Sequence, residues 1–220
     1  MAKYQLNLQA IEASLRDVQR QFPEINEIIQ SRRDHMTDEV VENMLAGYAF
    51  VNTAICKDND LFDLPYLHGL LELNHLVLCG KDLKSRLENR KHIESTRERF
   101  YHQEGCNIDT ILAWYQRHRH ESPWKLAAGV YVRILSQPQL YFEGNHRTGA
   151  LIMSYLLARD GSPPFVLSVQ NAKAYFDPST LIKLTRKSPG TRLAKLPRMK
   201  QRFAQFLQDQ ACPCYLKPDA

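Results

Sequence analysis

The sequence predicts an all-α fold, and three observations carry that expectation. Apolar residues recur at helical spacing along almost the whole chain; no segment sustains a two-residue alternation; and Gly80, Gly161 and the Pro163-Pro164 pair fall where apolar segments end. With 220 residues, 44% hydrophobic and 24% charged, the chain can build one sizeable core.

Leu6, Leu8, Ile11, Leu15 and Val18 open the helical pattern, and Pro23 interrupts it. Val40, Val41, Met44, Leu45, Tyr48 and Ile55 resume it after the polar SRRDH stretch, with Thr37 as the expected N-cap. A third segment runs from Leu64 to Leu78 and closes at Gly80; a fourth spans Ile108 to Arg117, capped by Asn107 or Asp109. Trp124 to Ser136 is the most apolar. Thr148 to Arg159 follows, stopped by Gly161 and the prolines beyond it, and Leu193 to Gln210 closes the chain. Residues 93–101, IESTRERFY, are the one candidate for a small β-hairpin, although charge outweighs alternation there and an exposed turn fits equally. No internal repeat or long linker is visible, so residues 1–220 read as one domain with a soft boundary near Gly80.

The formal net charge is +5, unevenly placed. Between Lys183 and Arg202 lie eight Lys or Arg and no Asp or Glu. That segment could face nucleic acid, an acidic protein or phosphates; no aromatic residue is interleaved to stack on bases, so a solvated helix face is the stronger reading and nucleic acid an unlikely partner on composition. Cys56, Cys79, Cys106, Cys212 and Cys214 are odd in number and form no CxxC pair, which predicts reduced thiols rather than zinc ligands. No apolar run approaches the roughly 18 residues of a membrane span, and the first residues lack the basic-then-apolar order of a secretion signal, so no membrane association and a cytoplasmic location are expected.

The informative stretch is QLYFEGNHRTGA, residues 139–150, lying between two apolar helices. Gly144 would let backbone approach a ligand, and the amides from Asn145 onward would point outward at a helix N-terminus, which attracts anions and phosphates above all. Arg147 could add a charge-assisted contact, Asn145 could brace the loop, and Glu143 could hold Mg²⁺ through one carboxylate. Neither the P-loop pattern nor the Rossmann GxGxxG is present. The competing reading is an ordinary helix-helix turn in which Glu143 and Arg147 pair with each other.

The segment resembles the Fic family (Fic/Doc/AvrB, or Fido, fold), whose signature is HxFx(D/E)GN(G/K)RxxR. Glu143, Gly144, Asn145 and Arg147 match its centre, and Tyr141 stands for its Phe. AAGVYVRILS before the loop and RTGALIMSYLLARDGSPPF after it resemble the flanking helices, and NIDTILAWYQRHRHESPW the connection upstream, so about residues 107–166 are covered. The resemblance implies a Fido-type helical domain: N-terminal helices over 1–80, a core over 81–166 and basic C-terminal helices over 167–220, with residues 93–101 as a target-docking flap. It also implies ATP and Mg²⁺ as cofactors, a protein hydroxyl as target, Glu143 as metal ligand, and Gly144, Asn145, His146, Arg147 and Gln139 as nucleotide-contacting positions.

The pattern breaks at three places. Gln139 replaces the motif His; an amide has no pKa near neutrality, and loss of a general base typically costs about 10²- to 10⁴-fold in rate. Ala150 replaces the final Arg, and His146 replaces a residue that is often Gly. His146 could act as a relocated base, contact phosphate, or fill a structural or blocking role. Residues 52–59, NTAICKDN, resemble the family's inhibitory helix, with Cys56 in place of its Glu; an ordinary helix end fits equally. These features predict a phosphate-binding protein with no catalytic residue in the motif position, acting by binding a nucleotide, another phosphate ligand or a partner protein. An active adenylyltransferase with a relocated base is the alternative, and nucleic-acid binding through the basic segment a weaker one.

Overall fold

The computed structural model describes residues 4–218, apart from the side chain of Arg192. Helices dominate: α1 (Leu8–Arg20), α2 (Phe22–Ile28), α3 (Asp38–Cys56), α4 (His68–Cys79), α5 (Leu83–Glu88), α6 (Arg90–His102), α7 (Ile108–His118), α8 (Pro123–Leu135), α9 (Asn145–Arg159), α10 (Ala172–Lys183) and α11 (Leu196–Asp209). Pro23 does not end the helical region. It sits in the first turn of α2, where a missing N–H costs nothing, so the chain bends and starts again. Thr37 accepts from the Val40 amide at 3.3 Å and Asn107 from the Thr110 amide at 3.3 Å, which fixes two of the expected helix starts. Gly80 and Gly161 hold positive φ at helix ends, as stop signals do.

Every residue of α9 from Thr148 to Ala158 is buried. A helix apolar on all sides belongs in the centre, and α3, α4 and α8 surround it, with α11 covering the far face of α8. No helix among the described residues is long and apolar enough to cross a membrane.

Three expectations are corrected. Residues 93–101 are not a hairpin but the body of α6, which rests on the core through Thr96 and Phe100, spaced i, i+4. Their charge marks a helix with one narrow buried stripe. The small sheet lies elsewhere: β1 (Tyr4–Leu6) pairs antiparallel with β2 (Leu216–Pro218), Tyr4 opposite Pro218 and Leu6 opposite Leu216. Cys212 and Cys214 are disulfide-bonded rather than reduced, while Cys56, Cys79 and Cys106 are free.

The α7–α8 crossing is unusually close. A Cβ on Gly129 would lie 2.0 Å from Cη2 of Trp114, whose ring stacks on His118 at 4.2 Å and carries the Arg133 guanidinium 3.9 Å above it. A ring held on two sides cannot swing away. Helix propensity alone would make Gly129→Ala stabilising by about 1 kcal/mol, whereas overpacking costs about 1–3 kcal/mol or more. Urea denaturation of Gly129→Ala should therefore show a net loss of up to about 2 kcal/mol; a gain would mean the crossing is looser than described.

Candidate functional site

The loop between α8 and α9 is folded by its own side chains. Asn145, 4% exposed, accepts from the Tyr141 amide at 3.0 Å and donates to the Tyr141 carbonyl at 2.9 Å, tying the loop to the first residue of α9. Tyr141, equally buried, anchors its hydroxyl on the Leu70 carbonyl at 2.8 Å. From α4, Asn74 donates to the Glu143 carbonyl and to the Thr148 hydroxyl, both at 3.0 Å. Upstream, the Gln137 amide donates to the Thr185 carbonyl and the Lys187 amide to the Gln137 carbonyl, pinning the loop's entry to the chain after α10.

Gly144 occupies the left-handed region, φ 70°, as the residue before α9. A Cβ there would meet Nδ2 of Asn74 at 3.0 Å and Cγ2 of Val77 at 3.2 Å, so both conformation and space select glycine. The Thr148 amide bonds to the Gly144 carbonyl at 2.9 Å, which makes Asn145, His146 and Arg147 the first turn. Their amides have no acceptor within the helix, and no side chain caps them. The helix starts at Asn145, three residues before the position its apolar pattern predicts, because the first turn is polar.

This first turn borders a cavity of about 610 Å³, within the range of small-molecule sites. All six sequence-predicted residues, Gln139, Glu143, Gly144, Asn145, His146 and Arg147, line it, as does Ala150. Glu143 is exposed at its wall, and among the described residues it makes no ion pair within 4 Å; the simple turn held by a Glu143–Arg147 pair is thus not what folds this loop. Arg147 donates to the Val77 carbonyl at 2.6 Å. Burial lowers its pKa, with Glu143 partly offsetting. Gln139 donates to the Leu135 carbonyl at 3.1 Å, and its own carbonyl accepts from Arg99 at 2.6 and 3.1 Å.

His146 lies between two partners. Arg33 Nη1 is 3.3 Å from Nε2 and the Tyr131 hydroxyl 3.3 Å from Nδ1. A guanidinium only donates, so Nε2 accepts and the proton of the neutral ring sits on Nδ1. Burial, then the charges of Arg33 and Lys183, push its pKa down from 6.5 to about 3. The ring is neutral at pH 7, and its basic lone pair is already engaged.

Two contributors were not predicted. Arg33, in the segment joining α2 to α3, lines the cavity beside Lys183; the polar stretch around it gave no signal beyond its charge. Asn74 is fully buried on α4, with Oδ1 unpartnered, and the signal was a carboxamide inside a leucine-rich helix. Residues 52–59 form the last turn of α3, its cap Lys57 and the turn just beyond, and none lines the cavity. From Tyr48, which does, to Cys56 is about 12 Å along the helix axis. Comparison of the chain with protein-family models, curated proteins and solved structures finds no match.

Two outcomes follow for the folded loop. Asn145→Ala leaves a buried N–H and C=O of Tyr141 unpaired and should cost about 2–3 kcal/mol in urea unfolding; a change under about 0.5 kcal/mol would show the loop to be held otherwise. In the unfolded chain His146 takes up a proton near pH 6.5, in the folded chain only near 3, so its contribution is complete above pH 6.5 and falls as pH drops toward 3. Between pH 7.5 and 5 the wild type should lose about 2 kcal/mol more stability than His146→Gln. Equal losses would place the ring in water.

Proposed function

We propose that the chain is a Fic-like protein that binds a phosphate-bearing ligand, a nucleotide among the candidates, at the first turn of α9 and acts by binding rather than by group transfer. The observation that carries the reading is the uncapped first turn opening onto the cavity, with Arg147 and Arg33 on its walls. Preorganised amides and a helix dipole attract phosphate at no further conformational cost.

Neither loop residue considered for the missing base, Gln139 or His146, is suited to take a proton from a hydroxyl. Gln139 has no titratable proton, and its side chain is bonded to the Leu135 carbonyl at the end of α8. His146, held neutral with Nε2 engaged by Arg33, is far below the neutral pKa that suits a general base. Among the described residues no three His, Cys, Asp or Glu side chains cluster as metal ligands. Glu143, an exposed carboxylate free of ion pairs, fits the single-carboxylate mode in which Mg²⁺ takes its remaining ligands from phosphate and water. A Mg²⁺ ion held there would neutralise phosphate charge.

Two measurements test this. Incubation with labelled ATP, Mg²⁺ and cell lysate should leave no protein labelled; covalent AMP that disappears in Glu143→Ala would overturn the binding-only reading. Calorimetry should detect inorganic phosphate binding to the wild type and at least ten-fold weaker binding to Arg147→Ala, as expected for a charge-assisted contact. No heat from phosphate at millimolar concentration would remove the site itself.

A further inference from the structure

Resting on that reading, we infer that the body attached to the phosphate is apolar, so the cavity takes an alkyl or aryl phosphate monoester in preference to a nucleotide. The warrant is the composition of the wall away from α9's first turn. Val40, Met44 and Tyr48 form an i, i+4, i+8 stripe on α3, and Phe22, Phe165 and Phe176 face the same cavity from α2, the segment after α9, and α10. The two hydroxyls on this wall are committed. Tyr48 donates to the Phe165 carbonyl at 2.8 Å, and Tyr175 donates to the His146 carbonyl at 3.1 Å while accepting from Tyr131 at 3.0 Å.

A nucleobase laid on Val40, Met44, Tyr48, Phe165 and Phe176 would meet no uncommitted side-chain hydrogen-bond partner among them, His35 beside Phe22 and its neighbour Asp34 being polar exceptions on the lining, and each unpaired polar group carries a penalty. Hydrocarbon or an aromatic ring gains by the same burial. A site discriminates against a ligand when it leaves that ligand's polar groups desolvated and unpaired.

Arg33 joins the two halves of the cavity. Its guanidinium lies over the Phe176 ring, 5.3 Å from the centroid, and it donates to the Thr180 hydroxyl at 2.8 Å as well as contacting His146. Its Nε is shielded and unpartnered, and among the described residues no carboxylate lies within ion-pair distance. A half-buried guanidinium without a counter-ion, at the edge of an aromatic floor and one imidazole from the free amides, suits an anionic head whose tail runs onto the rings.

Calorimetry with four soluble probes decides the matter: inorganic phosphate, AMP, hexyl phosphate and hexanol. Hexyl phosphate should bind at least ten-fold tighter than AMP or inorganic phosphate, and hexanol at least ten-fold weaker than hexyl phosphate. Arg33→Ala should weaken hexyl phosphate and inorganic phosphate alike, whereas Val40→Asn, on a half-buried position, should weaken hexyl phosphate ten-fold and spare inorganic phosphate. AMP binding as tightly as hexyl phosphate would overturn the apolar body and leave the phosphate site standing. Hexanol matching hexyl phosphate would remove the head-group role of Arg33, and silence from every phosphate would remove the underlying reading with it.

Discussion

The carboxamide of Asn145 closes the backbone of Tyr141 on itself, one oxygen and one nitrogen answering one amide and one carbonyl. Through that pair, four residues of loop become a rigid preface to a helix, and Gly144 is forced into the left-handed region beneath Asn74. The start of α9 at Asn145, the outward direction of its first amides and the position of Glu143 on the cavity wall all descend from this closure. Buried carboxamides of this kind are retained because both of their polar ends are answered; half-answered, they would weaken the fold.

Around this loop the core acts as a vice. α9 is buried along almost its whole length, so its N-terminus is presented to the cavity by a helix that cannot tilt. Electrostatics then divide the cavity. Arg33, Arg147 and Lys183 approach from different elements, Asp34 and Glu143 are the acids on its lining, and His146 stays neutral between Arg33 and Tyr131. A neutral imidazole here removes one charge that would otherwise repel its cationic neighbours, and it gives Arg33 an acceptor without cancelling its charge for an incoming anion.

Much of the architecture was legible in the sequence because it is written locally. The caps Thr37 and Asn107, the stops Gly80 and Gly161 and the spacing of α8 and α9 are statements about residues three or four apart. The loop was legible for the same reason, since all six of its predicted residues are neighbours in the chain and meet at one cavity. What failed was non-local or chemically silent. β1 and β2 are three residues each and lie at opposite ends of the chain, too short and too distant to leave a pattern. α6 buries only Thr96 and Phe100, so its charged surface masked its period. The bond between Cys212 and Cys214 depends on oxidation, which spacing does not encode. Arg33 gained meaning only when folding set it against His146 and Phe176.

The pairing of Tyr4 with Pro218 brings the two ends of the described chain side by side. The two strands thereby clasp the segment before α1 to the segment after α11, so neither can lift from the helices without breaking the other's backbone hydrogen bonds.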